Sequence, residues 1–156
     1  MKRETKVIAG IGLFTLVILV GGIALLSVGQ KQVNSSNVIS KNGLHWHPKL
    51  SIFIKDEQKP LDDGIGLGAV HQSMHTHTED YKEGVVHMEM KGVVSKDDTK
   101  LGKFFQVWGK KFNSQCILDQ CAAESGTLKM TVNDQENAEY ENYLMKDGDR
   151  IEIRYE

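Results

Sequence analysis

The chain has 156 residues, 40% of them hydrophobic and 26% charged, and its 19 basic and 21 acidic residues leave a formal net charge of −2. So mild an acidic balance argues against nucleic acid or anionic lipid headgroups as the main partner. No internal repeat is visible, and the length after an N-terminal segment suits one compact domain and is too short for two.

Residues 1–6, MKRETK, read as a short cytoplasmic leader. Residues 7–28 carry no charge and no polar face, and about 20 helical residues span a bilayer's hydrocarbon core. A single-pass transmembrane anchor, in contact with membrane lipid, is therefore expected there. Lys2, Arg3 and Lys6 outnumber Glu4, which keeps the N-terminus cytoplasmic and places the remainder outside the cytoplasm. A signal peptide cleaved near Ser27-Val28-Gly29 is the alternative, although the apolar run exceeds the roughly 7–15 residues of a signal's apolar region. Residues 29–42, GQKQVNSSNVISKN, suit a flexible linker, and residues 43–156 form the extracytoplasmic domain.

Within that domain LSIFIK (50–55) alternates and predicts a strand, and the glycine-rich IGLGAV (65–70) fits a bulged strand or a loop. GVVHMEMK (84–91) predicts a second strand, with Val86, Met88 and Met90 on one face and His87 and Glu89 on the other. Leu101, Phe104, Phe105 and Trp108 fall at i, i+3, i+4 and i+7, so residues 99–108 predict an amphipathic helix. Asp98 or Thr99 would cap its start and Gly109 its end, and core packing accounts for the aromatic stripe. Residues 127–132 and 150–155 alternate as further strands, the last entered through an Asp147-Gly148-Asp149 turn.

The expected fold class is α+β: a transmembrane helix followed by one small mixed β-sheet with one amphipathic helix. The closing YLMKDGDRIEIRY resembles the last turn and strand of ubiquitin-like β-grasp domains such as sulfur-carrier proteins. That resemblance implies a β-grasp-like fold, while an end at Tyr155-Glu156 lacks the Gly-Gly on which sulfur carriers depend. The wider layout runs from an anchor through HWHP, HTH, GVVHMEM and FFQVWG to paired cysteines and KDGDRIEI. It resembles small membrane-anchored proteins of archaea and bacteria, which implies a location and an architecture but no reaction.

All six histidines lie between His45 and His87. In an extended chain residues i and i+2 project to one face, so His45 with His47, and His75 with His77, can each converge on an ion. His87 and Glu89 make a third such pair, in which Glu89 can orient a ligand imidazole. His45, His47, His75, His77 and His87 are thus the candidate metal ligands, with His71 a bystander. Imidazole and carboxylate suit zinc or copper, and Met74, Met88 and Met90 nearby are compatible with Cu(I) or with plain core packing.

Cys116 and Cys121, the only cysteines, predict a structural disulfide outside the cytoplasm. Their four-residue spacing and the lack of an adjoining cation in sequence count against a redox pair. The reading that follows is a membrane-anchored, extracytoplasmic metal-binding protein: a carrier, sensor or delivery module. Its rivals are a metal-dependent enzyme with Glu89 or Glu79 as base, a thiol–disulfide protein, and a noncatalytic partner-binding ectodomain. No nucleophile elbow or phosphate loop is present to support hydrolase or nucleotide chemistry.

Overall fold

The computed structural model describes residues 35–122 and 126–156. Along the chain run the strands β1 (Val38–Ser40), β2 (Leu44–Trp46), β3 (Lys49–Ile54), β4 (Glu57–Lys59), β5 (Met74–His75), β6 (His87–Met90) and β7 (Val94–Ser95). The helix α1 (Leu101–Trp108) follows. The chain then forms β8 (Phe112–Asn113), β9 (Cys116–Ile117), β10 (Gln120–Cys121), β11 (Leu128–Val132), β12 (Gln135–Glu136) and β13 (Arg150–Tyr155).

The largest sheet has the order β12-β11-β13-β3-β4, with β3 and β13 parallel at its centre and the other pairs antiparallel. Strict alternation in three strands builds its inner face. Val132, Ile151 and Leu50 lie in one cross-strand row and Met130, Ile153 and Ile52 in the next, all buried. Leu101, Phe104 and Phe105 of α1 join the same core. Each such buried side chain contributes about 1.5–3 kcal/mol of transfer free energy. The helix stops where Gly109 turns left-handed, φ 71°, a conformation that costs glycine little.

A second sheet, β2-β6-β5, is antiparallel throughout. Trp46, Met88 and Met74 form a row on its core side, with Met74 and Met88 fully buried. The chain reaches β6 along the edge of β3. The Leu50 amide donates to the Gly84 carbonyl at 2.8 Å and the Val86 amide to the Pro48 carbonyl at 3.0 Å. Gly84 has φ +76° and touches the Leu50 carbonyl so closely that a Cβ would overlap it. This approach fixes where β6, and hence His87, stands relative to the core. β1 pairs with β7, and β8, β9 and β10 form a small sheet of their own.

The fold class expected from sequence is corrected. The described residues are mostly β, in four separate sheets with one eight-residue α-helix, rather than an α+β, β-grasp-like domain with one small mixed sheet. Many of the strands are only two or three residues long, too short to show a period of two, which is why alternation revealed just the long ones. Among the described residues no helix is long and apolar enough to cross a membrane. The transmembrane helix expected at residues 7–28 lies outside them. The stretch at 65–70 is a loop. Asp98 caps a preceding 3-10 turn, Lys96–Thr99, instead of α1, whose N-cap is Lys100 without a side-chain hydrogen bond.

Candidate metal centre

Register assembles the histidines on the β2-β6-β5 sheet. On its core side stand Trp46, Met74 and Met88, so alternation turns His45, His75, His87 and Glu89 to the opposite side. His75 sits directly across from His87, and His45 directly across from Glu89. His47 continues the face of His45 two residues on, and its backbone amide donates to Asp147 Oδ1 at 2.8 Å. The turn at Asp147-Gly148-Asp149, remote in sequence, thereby braces the HWHP segment. Asp149 holds that turn from within, accepting hydrogen bonds from the Tyr143 hydroxyl, the Lys146 amide and Asn133. Burial, with Asp149 beside it, pushes the Tyr143 hydroxyl well above its ordinary range.

Two groups of donors result. His75, His77, His87 and Glu89 each offer a ligand atom within 4.8 Å of the others, and so do His45, His47 and His87. His87 belongs to both. His75 is fully buried, His77 and His87 are half-buried, and His45, His47 and Glu89 are exposed. The Nε2 atoms of His75 and His77 lie 3.0 Å apart. Two nitrogens bound to one tetrahedral zinc at about 2.0–2.1 Å stand roughly 3.3 Å apart, so this pair is nearly at ligand spacing.

Two of the three inner imidazoles, His75 and His87, also have an acceptor that can fix their tautomer. His75 Nδ1 lies 3.1 Å from the Gln72 carbonyl, and His87 Nε2 lies 2.9 Å from Asp80 Oδ2. Donation through those nitrogens leaves His75 Nε2 and His87 Nδ1 with the lone pairs a metal needs. Burial lowers the pKa of His75, opposed by the Gln72 carbonyl and reinforced by His71 and His77, which favours the neutral, ligating form. Thr76 is equally buried. Its hydroxyl donates to the Asp62 carbonyl and accepts from the Ile65 amide, which pins the 62–65 loop against the histidine segment.

The structure thus brings together all five predicted histidines and Glu89, in overlapping groups. His71 joins neither group, yet its Nε2 is 3.3 Å from His75 Nδ1, where it competes with Gln72. The carboxylate that orients His87 is Asp80; Glu89 stands among the donors themselves, with Oε1 3.3 Å from His45 Nε2. Asp80 escaped sequence reasoning because the contact spans a turn, Tyr81–Glu83, and obeys no strand period. Its Oδ1 is buried without a hydrogen-bond partner among the described residues. Met74 and Met88 face the core, so they are not part of the donor set.

Cys116 and Cys121 are joined by a disulfide between directly paired residues of β9 and β10. Lys111 Nζ approaches Cys121 Sγ at 3.4 Å, a cation that the local sequence did not reveal. No protein-family model matches this chain, and neither does any curated protein or solved structure.

Proposed function

We propose that the chain is an extracytoplasmic metal-binding module that holds one zinc or copper(II) ion in its histidine cluster and carries it. The observation behind this reading is the convergence of donor atoms from His75, His77, His87 and Glu89 to within 4.8 Å. Three imidazoles, which are borderline donors, with one carboxylate oxygen make a set suited to those divalent ions. Cu(I) is a poorer fit, since the methionines that would favour it are Met74 and Met88, which fill the core. The closed disulfide supports a place outside the cytoplasm, as does the basic leader ahead of the apolar stretch at 7–28.

Elemental analysis of the purified full chain, exchanged into metal-free buffer after loading with zinc or copper(II), tests this directly. Near-stoichiometric metal is expected. Less than about a tenth of an equivalent of either ion would sink the reading.

A further inference from the structure

The two donor groups share one imidazole, and the shared imidazole has one free nitrogen. His87 Nε2 is engaged by Asp80, which leaves Nδ1 as its free nitrogen, and His87 is a member of both groups. An ion bound to His75, His77, Glu89 and His87 Nδ1 therefore deprives His45 and His47 of their third ligand, and the converse also holds. The two positions differ in exposure: His45 and His47 are exposed, whereas the other group reaches down to fully buried His75. They also adjoin one another. Ring centroids lie 4.6 Å apart from His45 to His47, 4.9 Å from His47 to His87, 4.4 Å from His87 to His77 and 4.8 Å from His77 to His75. An open cleft of about 540 Å³ is lined in part by His45 of the outer group and Glu89 of the inner one.

We propose that His45, His47 and His87 form an outer entry position, from which a single ion passes to the inner His75, His77, Glu89 and His87 position without leaving His87. This rests on the metal reading above and adds a route to it. The step is a ligand exchange. The ion keeps its bond to His87 Nδ1, releases the two imidazoles of His45 and His47, and gains those of His75 and His77 together with the Glu89 carboxylate. No electron moves, and only metal–ligand bonds are exchanged. Glu89 suits a hinge between the positions, being directly opposite His45 in the sheet while standing among the inner donors.

Zinc alone is the probe, added to the full chain and to two double variants, with equilibrium affinity and rate of transfer to a competing chelator both measured. The wild-type chain is expected to bind one equivalent. The His45→Ala/His47→Ala variant should keep one equivalent with affinity within about threefold, yet exchange at least tenfold more slowly, because the inner position survives and its exit is gone. Both replaced side chains are exposed, so folding is not at stake. The His75→Ala/His77→Ala variant should bind at least a hundredfold more weakly and exchange faster. Two tight equivalents in the wild-type chain, or wild-type exchange rates without His45 and His47, would overturn the shared route while leaving metal binding intact. A wild-type chain that takes up no zinc overturns the metal reading itself, and this inference with it.

Discussion

Asp80 holds the shared imidazole of His87 through its Oδ2, while its other oxygen is buried without a partner among the described residues. A carboxylate in that position does two things for a ligand: it fixes the tautomer and it raises the basicity of the far nitrogen. An amide retains the shape and loses the charge. The Asp80→Asn variant should therefore bind zinc about 10–100-fold more weakly, the usual cost of removing an orienting partner, while its far-UV circular dichroism stays unchanged. Glu79→Gln, at an exposed neighbour, is the matched control and should bind as the wild type does. If titration against a competing chelator gave Asp80→Asn the wild-type affinity within twofold, Asp80 would not orient the ligand.

The entrance to α1 shows how local chemistry sets an element. Ser95 and Asp98 form a capping box around the Lys96–Thr99 turn, and the carboxylate accepts from both the Ser95 amide and the Ser95 hydroxyl. The hydroxyl, helped by that amide and by Lys103, lowers the Asp98 carboxyl from 3.8 to about 2. A depressed carboxyl stabilises the fold above its unfolded value and loses that contribution as pH falls toward its folded value. The cap should thus weaken progressively between pH 3.8 and about 2. Ser95→Ala should cost about 1 kcal/mol at neutral pH and bring the Asp98 titration, followed by NMR, back up toward 3.8. A wild-type Asp98 that already titrates at 3.8 would contradict the geometry of the box. The same elements mark how far sequence reading reaches. Leu50 and Ile52, Met130 and Val132, Ile151 and Ile153, and the 101–108 stripe were legible because each element is long enough to repeat its period. β5, only Met74–His75, was not legible as a strand. The i, i+2 spacing of the histidines still carried over, since it needs extended backbone and no more. Asp80 and Asp147 became visible only in space, because each reaches its histidine across a turn or from the far end of the chain.

The donor sheet joins segments that only folding brings together: β2 and His47 from one stretch, β5 with His77 from another, β6 from a third, and behind them the Asp147 turn, 100 residues from the His47 amide it accepts. An ion that binds this arrangement and not the unfolded chain stabilises it by mass action, by about 2.7 kcal/mol at a free concentration of 100 times Kd. For a domain of this size that corresponds to a rise of roughly 10 °C in Tm. The disulfide stabilises by a different route, constraining the unfolded chain by about 2 kcal/mol for so short a loop. Its bond lies in the β8-β9-β10 sheet and shares no strand with the donor sheet. Effects at sites without common partners add. Differential scanning calorimetry of the full chain should therefore show Tm falling when the disulfide is reduced with a phosphine, while zinc still raises it by the same 10 °C or so. If reduction abolished the zinc-dependent rise, the imidazole site would depend on the disulfide for its shape and the two contributions would not be independent, whereas a larger rise after reduction would mean that the freed thiolates take up zinc.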